Sequence, residues 1–167
     1  FKDSKGRIWT GSMSGLCLYD SQTEHFTHIR NLDALIIEIT EDSKESLWIA
    51  TQGEGVFQYS HLQKKWKHYS KGNGINCLNI NHLYINREDQ IWAATSEGLY
   101  LYNPLKDIFE YQPLKIPNEC INAILEGEDC LWLTTAKGLV KYTPTTRATQ
   151  IFTKSDGLQS EAFIMAS

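Results

Sequence analysis

Long apolar runs are missing from this sequence. Those it has are short, such as Ala34-Leu35-Ile36-Ile37, far from the ~20 residues that a bilayer-spanning helix requires. Basic blocks are missing too. Against 16 Lys and Arg stand 20 Asp and Glu, a net charge of −4, which argues against nucleic acid or anionic lipid as a partner. The four cysteines, Cys17, Cys77, Cys120 and Cys130, form no Cys-x-x-Cys pair and no zinc spacing, so no metal centre is expected. Their pairing cannot be read from sequence, and the redox compartment stays open. Of the five histidines, His25 and His28 stand three apart, which puts them on opposite faces of a strand. Small buried thiols and exposed strand histidines are the expectation. Gly-x-Gly-x-x-Gly, Gly-x-Ser-x-Gly and His-Glu-x-x-His are all absent. The sequence therefore predicts no catalytic residue and no cofactor. It opens on Phe1-Lys2-Asp3, without a start methionine or a leader pattern, and reads as a piece of something longer.

What the sequence does have is a repeat, and that decides the fold class. Trp9, Trp48, Trp92 and Trp132 are 39, 44 and 40 residues apart. Each follows Ile or Leu and precedes, three residues on, a Ser or Thr: Ser12, Thr51, Thr95 and Thr135. A glycine with an aliphatic behind it comes next: Gly15, Gly55, Gly98 and Gly138. Then comes a tyrosine: Tyr19, Tyr59, Tyr102 and Tyr142. An aromatic closes three units at Phe26, Trp66 and Phe109, whereas the fourth has Thr149 there, with Phe152 nearby.

One unit reads as four short strands. Ile36–Thr40 is β-rich, Leu47–Thr51 is a short apolar strand, Val56–Tyr59 resumes after a glycine-rich turn, and Trp66–Tyr69 is a more polar fourth strand. Turns of a few residues between them fit an antiparallel meander, and no sustained helical stripe competes. Meanders repeating every ~40 residues are the signature of β-propeller blades. The expected fold is all-β, about four such blades over 1–167, with a further blade starting at 157–167. Each Trp is the apolar wedge between blades. The small residue two positions later (Gly11, Ala50, Ala94, Thr134) leaves room where blades converge. Each glycine serves a tight turn at positive φ. The outer strand should alternate, one side meeting solvent.

The turn before each Trp opens on Asp3, Asp42 or Asn86, whose side chains can accept backbone amides a few residues on. Gly6, Glu45 and Asp89 occupy the tip. The fourth turn, Glu126–Leu131, departs from the pattern and is one residue tighter. Glu126, Glu128 and Asp129 do not have the spacing of a twelve-residue calcium loop, so a solvated turn is expected.

Asp3 to Tyr19, with its Asp-x-x-Gly-x-Ile-Trp-x-Gly-Ser, Gly-Leu and Tyr, resembles the two-component regulator propeller repeat. Glu41 to Tyr59 matches it equally, and Ser155-Asp156-Gly157-Leu158-Gln159-Ser160-Glu161-Ala162-Phe163 is similar to its Asp-Gly-Leu stretch leading into another blade. Glu45, Asp89 and Asp129 stand where that family prefers glycine. The resemblance implies part of a seven-bladed propeller in the periplasmic part of an inner-membrane hybrid sensor. Further blades, an immunoglobulin-like domain and a histidine kinase would follow in the same protein, which would be a homodimer. It also implies an oligosaccharide ligand and no chemistry in this segment. A generic propeller scaffold for protein partners is the alternative, and a propeller lyase or hydrolase a third class.

Any ligand is expected at one end of the ring. Loops after the second strand present Met13-Ser14, Gln52-Gly53-Glu54, Ser96-Glu97 and Ala136-Lys137, and interblade linkers present Asn31 to Asp33, Asn73, Asn118-Glu119 and Asp156. From these, Gln52, Glu54, Asn73, Glu97, Asn118 and Lys137 are the candidate ligand contacts. Trp66, if exposed, could stack on a sugar ring.

Overall fold

A computed structural model describes residues 1–163 apart from 31, 118 and 161. It is all-β, with two single 3-10 turns at Lys71–Asn73 and Lys154–Asp156. Fifteen strands form four antiparallel meanders. Blade A comprises β1 (Ile8–Ser12), β2 (Gly15–Asp20) and β3 (His25–His28). Blade B comprises β4 (Leu35–Glu41), β5 (Ser46–Gln52), β6 (Val56–Ser60) and β7 (Lys65–Tyr69). Blade C comprises β8 (Ile80–Ile85), β9 (Ile91–Thr95), β10 (Gly98–Asn103) and β11 (Ile108–Gln112). Blade D comprises β12 (Ile121–Glu126), β13 (Leu131–Thr135), β14 (Gly138–Thr143) and β15 (Ala148–Phe152). Blade A has only part of a first strand, with Lys2 bridging Ile8 and Phe1 and Trp9 exchanging backbone hydrogen bonds.

The blades stack through the tryptophans. Trp9 packs with Leu47, Ile49 and Phe57 of blade B. Trp48 packs with Leu83, Ile91, Tyr100 and Phe109 of blade C, and Trp92 with Ile121, Ile124, Leu133 and Tyr142 of blade D. Strand β5 is buried from Ser46 to Thr51 because sheets cover both its faces. Trp132 differs. It is only half-buried and lines an apolar recess with Leu125, Ala123 and Leu139, on a face that none of the other described blades covers.

Local chemistry explains the repeat. The hydroxyls of Ser12, Thr51, Thr95 and Thr135 donate to the carbonyls of Gly15, Gly55, Gly98 and Gly138, closing each turn at 3.2, 2.7, 2.8 and 2.8 Å. Gly55 has φ +80°, and a Cβ there would stand 2.4 Å from the Tyr69 carbonyl, so only glycine fits. A Cβ on Gly11 would meet Ile36 of the next blade at 2.5 Å, which is the close approach expected where blades converge.

The turns before each Trp gain a function that the sequence reading did not give them. Asp3 and Asp42 each use Oδ1 for the amides two and four residues on, and Oδ2 for the indole N–H of Trp9 and Trp48, both at 2.8 Å. Asn86 keeps the two amides through Oδ1, but its other atom is an NH₂ that bonds Gln90. The buried indole N–H of Trp92 is left without a partner. The tips confirm the preference for glycine in the turn: Gly6, Glu45 and Asp89 have φ +79°, +62° and +59°. The fourth turn is one residue tighter, since Glu126 pairs Leu131 where Glu41 pairs Leu47.

The outer strand β7 does not alternate. Lys65 to His68 are exposed and only Tyr69 is buried. Trp66 and His68 pair Tyr59 and Phe57, on the face of blade B turned to blade A. The gap between those blades is not filled at its rim.

Candidate functional site

Three kinds of surface feature bring polar or aromatic side chains together. The first is the loop face formed by the β1–β2, β5–β6, β9–β10 and β13–β14 loops and the interblade linkers. Gln52, Glu54, Glu97 and Lys137 are exposed on it, the first two in blade B and the others in blades C and D. Asn73 is half-buried, and its amide is already engaged: Oδ1 accepts from the Ser70 amide at 2.6 Å and Nδ2 donates to the His68 carbonyl at 2.7 Å. Asp156 repeats only the accepting half, taking the Thr153 amide at 2.9 Å. Both cap a 3-10 turn that ends on a left-handed glycine, Gly74 or Gly157. Asn31 and Asn118 lie outside the described residues.

Beneath this face the first strands of blades B, C and D run side by side, each with a β-bulge, at Ile36/Glu38, Ile80/His82 and Ile121/Ala123. The bulge re-aims the next side chain toward the following blade. Glu38 Oε2 accepts the Leu83 amide at 2.8 Å, and His82 Nδ1 accepts the Ile124 amide at 3.2 Å. A backbone N–H can only donate, so His82 Nδ1 carries no proton and its Nε2 faces Glu38 at 3.7 Å.

The opposite face carries grooves between blades. The larger, about 590 Å³, lies between B and C and is lined by Asp42, Lys44, Gln58, Glu88, Asp89 and Tyr102 among others. A second, of about 430 Å³ between C and D, includes Glu88, Glu126, Glu128 and Asp129. Acidic clasps join neighbouring blades on this face. Ser4 donates its amide and hydroxyl to Glu41, at 2.7 and 2.9 Å. Ser43 does the same to Asp89, at 2.9 and 2.6 Å. Blade C has Ile85 where blade B has Glu41, so the carboxylate comes from the turn tip instead. Tyr69 and Tyr102 both donate to Asp107 Oδ1 at 2.8 Å, and Lys67 pairs with its other oxygen. Burial and the adjacent Asp107 push Tyr102 up to about 12, and burial with the bonds to Tyr102 and Asp107 raises Tyr69 as well. Both phenols stay protonated as donors.

Asp3, Glu41 and His61 form the one group among the described residues whose metal-ligating atoms converge, within 4.8 Å. It is a latch between blades A and B. Arg7 occupies it, its Nε on Asp3 at 2.7 Å and its Nη2 on His61 Nε2 at 2.6 Å. Burial works to raise the Asp3 carboxyl, but the bonds from Trp9 and Arg7 outweigh it and hold it below the ordinary value. Burial and the Arg7 charge lower His61. Of the strand histidines, His25, His28 and His68 are exposed as expected and His82 is half-buried, while His61, in the turn after β6, has a side chain only 5% exposed. No local pattern marks it, because the Arg7 that bonds its Nε2 lies 54 residues away.

The third feature is a cleft of about 300 Å³ at the rim between blades A and B, floored by Leu32 and Phe57 and walled by Trp66 and His68. Trp66 is 37% exposed, as a sugar-stacking role requires.

No protein-family model matches the chain, and no curated protein matches it in sequence. Solved structures do. The extracellular domain of BT4673 from B. thetaiotaomicron, described as a one-component or hybrid two-component system, superposes with a TM-score of 0.75 at 22% identity, over 95% of this chain and 21% of that one. The extracellular domain of the hybrid two-component system BT3049 from the same organism gives 0.66 at 20% identity, over 99% of this chain and 30% of that one. Virginiamycin B lyase from Staphylococcus aureus gives 0.69 at 14% identity, over 91% of this chain and 53% of that one. The chain thus spans between about a fifth and about a half of these proteins. At such identities the likeness is one of fold, and the fold is that of part of a β-propeller.

Proposed function

We propose that this chain is a non-catalytic segment of an extracytoplasmic sensor propeller, reading an oligosaccharide and reporting its occupancy to a histidine kinase elsewhere in the same protein. The observation that carries this reading is the superposition of nearly the whole chain on extracellular domains of two-component systems. The internal repeat and the loop face support it. The lyase has a similar fold, but a propeller hosts many activities. The converging acid and histidine side chains here are tied up by Arg7. Among the described residues no helix is long and apolar enough to cross a membrane.

A reader without catalytic groups acts through differential affinity for two arrangements of its neighbours. Blades wedged by fully buried Trp48 and Trp92 are rigid, so movement belongs at the junctions of the array, between propellers or subunits. Calorimetric titration of the chain with a panel of neutral and acidic oligosaccharides, beside alanine variants of Gln52, Glu54 and Asn73, tests recognition. Hydrogen exchange on the intact sensor with and without the bound sugar tests the rest. Heat from no oligosaccharide removes the glycan reading. Protection changes concentrated around Trp48, Trp92 and Trp132 remove the rigid reader.

A further inference from the structure

The rim cleft between blades A and B owes its existence to two local departures from the repeat. Leu16, Val56, Leu99 and Leu139 occupy equivalent positions, and their outer-strand neighbours are Ile29, Tyr69, Gln112 and Phe152. Between blades B and C, Tyr69 fills the gap, packing at 5.4 Å on Phe109, which is 1% exposed. Between A and B the smaller Ile29 stands in its place. The equivalent of Phe109 is Trp66, which is left 37% exposed. The linker is shorter as well: residues 29–34 join A to B, against 70–79 from B to C, where the chain makes a 3-10 turn at Lys71–Asn73. The gap that Tyr69 closes between B and C is therefore left open at the rim between A and B.

Its lining is chemically specific. Leu32 and Phe57 give a dry floor, and the Trp66 ring, held at 4.8 Å from Tyr59, forms one wall. His68 lies flat on Phe57 at 4.1 Å, fixed by donation from its Nε2 to the Glu54 carbonyl at 2.5 Å. Glu54 was a ligand candidate from sequence, so the cleft borders the loop face. At the mouth stands Arg30, an exposed guanidinium with no ion pair or hydrogen bond among the described residues. The Lys67 stem also lines the mouth, while its ammonium is held by Asp107. Asp33, the acid nearest in sequence, is turned to His28 at 3.4 Å. In a chain of net charge −4, an unpaired Arg beside an exposed indole is a local inversion of sign.

We infer that this cleft is a subsite for one acidic sugar unit of an oligosaccharide, with a C–H face of the ring stacked on Trp66 and its carboxylate or sulfate on the Arg30 fork. An aromatic platform accepts the apolar face of a pyranose. A planar guanidinium matches a carboxylate bidentately, as a lysine cannot. This rests on the glycan reading above and adds the charge of the sugar and the place where it binds.

The test titrates the 167-residue chain with a galacturonic acid trimer, a sulfated disaccharide, a neutral maltotriose and a glutamate trimer, following heat and tryptophan fluorescence. The expected result is saturable binding of the acidic sugars, weakening as salt rises, about tenfold weaker in Trp66→Ala and about tenfold weaker in Arg30→Gln. Both side chains are exposed at the rim, and an unchanged circular dichroism spectrum shows that the variants fold. Relative response to the uronate and the sulfated sugar identifies the acid. Equal binding of maltotriose with no effect of Arg30→Gln overturns the acidic-sugar assignment and leaves the glycan reading standing. Acidic sugar binding indifferent to both substitutions overturns the site. A glutamate trimer bound as tightly as the uronate overturns sugar recognition here in favour of an acidic peptide. Binding of no saccharide, neutral or acidic, overturns this inference together with the glycan reading.

Discussion

Replacing Asp42 with Asn tests the claim that the turn acid serves chiefly to lock the tryptophan wedge. Asp42 uses one oxygen for the amides of Lys44 and Ser46, at 3.0 and 2.8 Å, and the other for the indole of Trp48, at 2.8 Å. Asn retains the first oxygen and turns the second into a donor. The protein already contains this arrangement at Asn86, which bonds the amides of Glu88 and Gln90 at 3.1 and 2.8 Å and leaves Trp92 unpartnered. The perturbation thus removes one charge-assisted bond and orphans one buried N–H, with the turn itself intact. A bond to a charged group contributes about 1.5–3 kcal/mol, so Asp42→Asn is expected to lose that much in urea unfolding. The reciprocal Asn86→Asp should gain about 1 kcal/mol, less than the full bond because Glu88 and Glu126 border the same groove. In NMR, the Trp48 indole proton should exchange faster in the first variant and the Trp92 proton slower in the second. A loss below about 0.5 kcal/mol, or a destabilised Asn86→Asp, refutes the locking role.

Other outcomes follow from the same geometry. Trp48→Ala, at a fully buried wedge, is expected to cost ~3–5 kcal/mol, whereas Trp132→Ala, on a half-buried face, should cost less than half of that; equal losses in thermal denaturation would contradict the packing described. His61 and Asp3 both have lowered values in the folded latch, so the unfolded chain takes up protons first and stability must fall on acidification. For His61 the loss sets in as the pH falls through its ordinary value of 6.5, and His61→Gln should flatten the stability curve just below that value while leaving the Asp3 fall at lower pH. Glu45→Gly relieves a left-handed residue and loses only an exposed ion pair with Lys5, so urea unfolding should show a small net gain. Asp89→Gly should give no such gain, because it also removes the acceptor for Ser43.

Most of the fold was legible because the repeat writes it out four times. The Trp, Gly and Tyr spacings place strands, turns and wedges through local rules, and Gly55 and Gly11 occupy the cramped positions expected of them. Even the tight fourth turn could be read by counting residues. Exposure of Trp66 was left conditional, since a strand aromatic buries or not according to what stands opposite. Asn73 was legible as a polar loop residue but not as a cap, because its partners depend on how Ser70 to Gly74 turns.

What the sequence determined by itself is the blade: its meander, its wedge and its turns, all built from residues within one unit. What only the tertiary structure decided lies between units. The Asp3, Arg7 and His61 latch, the acceptance of Leu83 and Ile124 amides by Glu38 and His82, and the cleft at Trp66 each join residues from different blades. Their formation depends on linker length and on the bulk of single residues such as Ile29 and Tyr69. A difference of that size leaves the hydrophobic periodicity of each strand unchanged, yet it decides whether the gap between two sheets is filled or open.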